Sequence, residues 1–172
     1  RLKATLPIYS DLKHENLIEL IEAKEIGDGF AMVFKWADSD CMGRMYPAAH
    51  RRFIQLPIND RLAVFSDILS FLECVASRKY VAIDFYDGSI MYDFANGKTT
   101  ICDIDLFHKQ PCVNDMGRMW GSSRFQSPEE YQLGADIDEI TNVYTLGATA
   151  FALFGEYNRT REKWQLSDKL FE

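Results

Sequence analysis

Positive charge is in deficit in this chain of 172 residues: 19 Lys and Arg stand against 26 Asp and Glu, for a net charge of -7 and an isoelectric point near 5.0. A surface that neutralises a phosphate backbone or an anionic bilayer needs clustered excess cations. Nucleic acid and membrane are therefore not expected as partners, and the short basic cluster His50-Arg51-Arg52 reads as a solvated helix face. Cysteine is sparse and unpatterned. Cys41, Cys74, Cys102 and Cys112 lack C-x-x-C spacing and His14, His50 and His108 lie far apart, so neither a zinc site nor a disulfide framework is expected and the thiols read as reduced and mostly buried. Long apolar runs are missing too. None approaches the ~18 residues that span a bilayer, and the N-terminal residues lack the charged-then-apolar pattern of a secretory leader. The expected setting is the cytoplasm.

What the chain does have is apolar bulk. At 47% hydrophobic and 13% aromatic residues it can bury a sizeable core as one domain. Asn16 to Ile26 and Phe30 to Trp36 are β-prone runs broken by Gly27-Asp28-Gly29, which predicts a hairpin. Residues 41 to 58 read as an irregular connection with a short helix. From Asp60 to Ser77, Leu62, Phe65, Ile68, Leu69, Leu72 and Val75 recur at helical spacing and predict a long amphipathic helix. Val81 to Ile83, Ser89 to Tyr92 and Thr99 to Cys102 are short β-prone stretches separated by the turns Tyr86-Asp87-Gly88 and Asn96-Gly97-Lys98. Residues 106 to 126 read as a long loop of the kind kept for function. Asp138 to Phe154 is apolar nearly all round, which predicts a helix buried in the domain centre.

Two aspartates carry the chemical signal. Asp84 ends the run Tyr80-Val81-Ala82-Ile83-Asp84, and Asp103 ends Thr100-Ile101-Cys102-Asp103 and is followed by Ile104-Asp105. Taken singly, each is more often a turn former or an exposed carboxylate than a functional group. Downstream, Gly121-Ser122-Ser123-Arg124-Phe125-Gln126-Ser127-Pro128-Glu129 is similar to the end of a protein-kinase activation segment, Gly-Thr-x-x-Tyr-x-Ala-Pro-Glu. Asn142-Val143-Tyr144-Thr145-Leu146-Gly147 resembles the buried helix start Asp-x-Trp-Ser-Leu-Gly of that family, and His14-Glu15-Asn16 resembles the His-x-Asn before its fourth small-lobe strand. Together with the order of elements, these motifs make the chain resemble the protein-kinase-like superfamily over nearly its whole length.

The resemblance implies an α+β fold of the protein-kinase kind, with residues 1–36 as the end of a small lobe and 37–172 as a partial, mostly helical large lobe. It implies Asp84 as catalytic base, and Asp103, Ser89 and Asp105 as the oxygen set for Mg. Met32-Val33-Phe34-Lys35-Trp36-Ala37 would be a strand entering the hinge, with Phe34, Lys35, Trp36 and Ala37 against the adenine of ATP; judged alone, the segment is equally a core strand. Asn142 would cap catalytic-loop amides, and Glu129 would stand where the family pairs a glutamate with an arginine near the domain's end, a partner for which Arg159 and Arg161 lie too close after the buried helix. The acceptor implied is a protein Ser or Thr hydroxyl, and residues 106 to 126 could also meet a regulatory protein partner.

The chain departs from the family pattern at chemically important points. Ala82 and Ile83 stand where the catalytic-loop His would be, Tyr86 where a Lys would meet the transferred phosphate, and Ser89 where an Asn would hold metal. There is no Gly-x-Gly-x-x-Gly and no Val-Ala-x-Lys strand; Thr5 falls near the position of the small-lobe helix Glu, and Pro7 argues against a regular helix there. These departures imply a portion of a longer kinase-like protein that does not transfer phosphate as it stands. Two readings stay open: a Ser/Thr-directed phosphotransferase, and a kinase-like module that binds nucleotide or a partner without turnover.

Overall fold

A computed structural model describes residues 2–171. The chain enters through a 3-10 turn, Leu2–Thr5, and a short helix α1, Leu6–Asp11. The helix forms despite Pro7, against the sequence expectation, because Pro7 lies in the first turn, where a backbone N–H has no helical acceptor to lose. An antiparallel hairpin follows: β1, Leu20–Ile26, pairs with β2, Gly29–Phe34, through a turn in which Gly27 adopts φ 58°. The predicted hairpin is thus trimmed at both ends. Asn16 to Glu19 leave it because Ile18 N–H donates to the Ile101 carbonyl and the Asn16 carbonyl accepts from Ile101 N–H.

The connection to the long helix contains β3, Asp40–Cys41, and α2, Pro47–Ile54, on which Arg51 and Arg52 are exposed as expected. The long helix α3 runs Ile58–Ser77, starting two residues before the predicted Asp60 directly after Pro57. Its buried stripe is Val64, Ile68, Phe71, Leu72 and Val75, while Leu69 is 37% exposed at its edge. Then come β4, Tyr80–Val81, β5, Ile90–Asp93, and β6, Lys98–Ile101. β5 is the centre of a three-stranded antiparallel sheet, flanked by β3 and β6. The stretch read as a loop holds two short strands, β7, His108–Lys109, and β8, Cys112–Val113, which pair with β4 and with β9, Asp136–Ile137. These pairings join residues far apart in sequence, so local pattern could not reveal them.

The last helix, α4, Glu139–Phe154, starts at an Asp138 cap that accepts from Ile140 N–H. It is buried along Thr141, Asn142, Thr145, Ala148, Thr149, Ala152 and Leu153, but Ile140 and Val143 are each 68% exposed. The expectation of burial all round therefore fails on one face. α3 and α4 pack together, and buried Arg61 of α3 donates to the Leu153 carbonyl at 2.7 Å. The main core gathers Phe53, Phe71, Phe85, Phe107 and Phe154 between these helices and the small sheets. The four cysteines are free but half-buried rather than buried. Among the described residues no helix is long and apolar enough to cross a membrane.

Candidate functional site

The turn after β4 is shaped by what it must bury. Ile83 and Phe85 are 3% and 2% exposed, and Phe85 reaches the Phe71 and Phe107 rings at 6.4 Å. Asp84, between these two anchors, takes a left-handed backbone with φ 61° and stays half-buried. A second left-handed turn sits at Asp103, φ 57°, ahead of fully buried Ile104. The sheet brings the two together: Cys102 N–H donates to the Ser89 carbonyl at 2.9 Å, extending the β5–β6 ladder by one step and delivering Asp103 beside the Asp84–Ser89 loop.

The electrostatics follow from this proximity. The Asp84 carboxyl is pushed up to about 6, first by burial and then by the charge of Asp103. Asp103, whose side chain still reaches solvent, is raised by partial desolvation and then by Asp105. Tyr86 is raised by burial and then by Asp84 and Asp103. Like charges this close disfavour ionisation unless a cation is present. Among the described residues, neither Asp84 nor Asp103 has a side-chain hydrogen bond or ion pair. Ser89, fully buried, has an Oγ with no hydrogen-bond partner.

Asp105 is held differently. Its Oδ1 accepts from the phenol of Tyr9, on α1, at 2.9 Å. Tyr9 also lies against Phe34, with ring centroids 5.1 Å apart. Of the four residues expected at the nucleotide edge, Phe34 is half-buried at the end of β2, and Lys35, Trp36 and Ala37 line a pocket of about 240 Å³ with Ile18 and Thr100. The Lys35 N–H is taken by the Glu19 carbonyl at 2.9 Å, so it is not free for an adenine edge, and Trp36 is 88% exposed.

Asp84 opens onto a cleft of about 400 Å³ lined by Tyr86, Leu106, Trp120, Gly121 and Ser122. Gly121 has φ 141°, and a Cβ there would lie 3.2 Å from Gln126 Cγ and 3.4 Å from Asp84 Oδ1. Only glycine gives that backbone its approach. The segment that follows is tightly built. Phe125 is buried against α4, Gln126 Nε2 donates to the Met119 carbonyl at 2.8 Å, and Glu130 Oε2 accepts from both Ser127 N–H and Ser127 Oγ. Glu129 Oε1 accepts from Thr141 Oγ1 at 2.7 Å, and among the described residues it pairs with neither Arg159 nor Arg161, the two arginines read as too close to reach it. Asn142 behaves as expected, with Oδ1 accepting from Ala82 N–H at 2.8 Å and Nδ2 donating to the Tyr80 carbonyl at 3.0 Å.

Sequence reasoning missed one network beside the site. Asp87, 4% exposed, accepts from the Tyr157 phenol and from Arg44 N–H, and its other oxygen faces Arg124 Nη2 at 3.8 Å. The guanidinium groups of Arg44 and Arg124 lie 5.0 and 5.3 Å from the Tyr157 ring centre. This ties the Asp84–Ser89 loop to the segment after Gly121. Asp87 was legible only as a turn residue, and nothing local marks Tyr157 as its partner 70 positions away.

Among the described residues no group of three or more His, Cys, Asp and Glu side chains gathers to hold a metal ion. No known protein family matches this chain, and no curated protein matches it.

Proposed function

We propose that this protein is a protein-kinase-like phosphotransferase that moves the γ-phosphate of ATP to a Ser or Thr hydroxyl of a protein, with Mg. The observation that carries the reading is the Asp84–Asp103 pair: two non-glycine residues in left-handed turns, close enough for one to raise the other, with no cation paired to either among the described residues. Backbone in such regions concentrates at functional sites. The order hairpin, connection, long helix, short paired strands, ordered segment and central helix, with Asn142 holding the turn before Asp84, supports the kinase-like fold.

The residues suit the cofactor. Asp103, which reaches solvent, and Ser89, whose buried Oγ has no hydrogen-bond partner and whose carbonyl accepts from Cys102 N–H next to Asp103, carry the hard oxygens that Mg prefers. The chemistry Mg would supply when bound is positive charge that offsets the charge developing on the phosphates. Asp103 and Ser89 would hold it. Asp84, half-buried and ionised above about pH 6, is the base for the acceptor hydroxyl in the cleft beside Gly121.

A second reading, nucleotide or partner binding without turnover, is favoured by Tyr86. Its phenol, raised by burial and then by Asp84 and Asp103, cannot supply the cation that a lysine would bring to the transferred phosphate. Transfer of labelled γ-phosphate from Mg-ATP to a Ser/Thr protein, by the full-length protein and its Asp84→Asn variant, decides between the two. Transfer that is lost in the variant is the expected result. Mg-ATP binding without transfer by either protein assigns the binding role instead.

A further inference from the structure

α1 is fastened to both halves of the carboxylate site by side chains two residues apart. Tyr9, 4% exposed, donates to Asp105 Oδ1 at 2.9 Å across 96 positions of chain. Asp11 Oδ2 accepts from the Tyr80 phenol at 2.9 Å and from Lys109 Nζ at 3.0 Å. Tyr80 opens the strand leading to Asp84, and Asp105 follows Asp103 across buried Ile104. The Tyr9 ring meanwhile packs on Phe34. One short helix thus touches the two carboxylate segments and the end of β2.

The Tyr9–Asp105 contact is suited to hold a backbone in place. A hydrogen bond to a carboxylate is roughly twice as strong as a neutral one, and the burial of the Tyr9 ring keeps water from replacing it. Burial, and then the bond to Asp105, push the Tyr9 phenol well above its ordinary range, so it stays a donor. With Ile104 fixed in the core on one side and Asp105 held on the other, the left-handed turn at Asp103 has little freedom.

We propose that Tyr9 is a positioning residue: by holding Asp105, its phenol fixes the turn at Asp103 and so the direction in which Asp103 presents its carboxylate to a divalent cation. The cation is taken from the phosphotransferase reading above; the clamp itself stands independently of it. One Asp105 oxygen is thereby committed to Tyr9, which makes Asp105 a support for Asp103 before it is a ligand.

Tyr9→Phe in the full-length protein removes the hydroxyl and keeps the ring on Phe34. Two measurements read it: amide hydrogen exchange over residues 102–107 without ligand, and the Mg concentration giving half-maximal ATP binding. Exchange there is expected to speed up about tenfold with α3 unaffected, and the Mg midpoint to rise about tenfold. Asp105→Asn keeps an acceptor oxygen for Tyr9 and is expected to shift the midpoint less. Asp105→Ala is expected to match Tyr9→Phe, and the double variant to be no worse than either. Additive losses would make Asp105 a ligand in its own right and overturn the division of roles. Unchanged exchange overturns the clamp whether or not nucleotide binds. Faster exchange with an unmoved Mg midpoint overturns the positioning role. A wild-type protein that binds no Mg-ATP defeats the phosphotransferase reading, and exchange alone then decides the clamp.

Discussion

Asp84 is a carboxyl whose environment works against its own ionisation, and this has a measurable consequence. Its folded value, about 6, lies above the unfolded 3.8, so the folded state binds the proton more tightly. The contribution of Asp84 to stability is therefore fully present below about pH 4 and is lost as pH rises through 6. Asp84→Asn, which suits the same left-handed backbone, removes that penalty. In urea unfolding, the variant is expected to exceed the wild type at pH 8 by roughly 1 kcal/mol, a figure discounted for the half-exposed position, with the difference gone by about pH 4. Equal midpoints at pH 8 would show that burial and Asp103 together do not penalise the ionised Asp84. If Asp84 is the base of the proposed phosphotransfer, the measured transfer rate is expected to fall as pH drops below about 6, because the carboxyl is then protonated.

Among the elements, α4 and the turn after β4 are coupled through one side chain. Asn142 is 5% exposed and satisfies both the Ala82 N–H and the Tyr80 carbonyl. Asn142→Ala leaves two buried backbone groups unpaired at about 1–3 kcal/mol each, so a loss of roughly 2–6 kcal/mol is expected in denaturant unfolding. A loss below about 0.5 kcal/mol would mean that water or a shifted backbone replaces the amide. α3 and α4 themselves were legible from apolar spacing, since a helix declares its buried face every three or four residues. Their exposure in detail was not. Val64 replaces Leu62 on the innermost line, and Ile140 and Val143 face outward, because the partner surface decides which part of an apolar stripe is covered. The helix at Pro7 was misjudged for a different reason: a proline penalises a helix interior but not a first turn, and the boundary was invisible locally.

At the scale of the whole molecule, a ligand that binds only the folded protein stabilises all of it. If the Asp84–Asp103 site takes Mg-ATP, saturating ligand at about a hundred times its dissociation constant adds about 2.7 kcal/mol. Thermal unfolding of the full-length protein is expected to shift upward with Mg-ATP, to return to the unliganded midpoint on chelation of the metal, and to show no Mg-dependent shift in Asp103→Asn. An Asp103→Asn protein stabilised as strongly as wild type would remove Asp103 from the metal site. The sequence by itself determined the hairpin, the two long helices and the turns, and the motifs around Asp84 and Asp103 drew attention to them, because periodicity, turn residues and motif spacing are local properties. Only the tertiary structure decided how those carboxylates are charged and held. The effect of Asp103 on Asp84, the hold of Tyr9 on Asp105, the union of Asp87 with Tyr157 and the seat of Glu129 on Thr141 all join residues separated in the chain. Desolvation and hydrogen bonding act through space, and space is set by the fold.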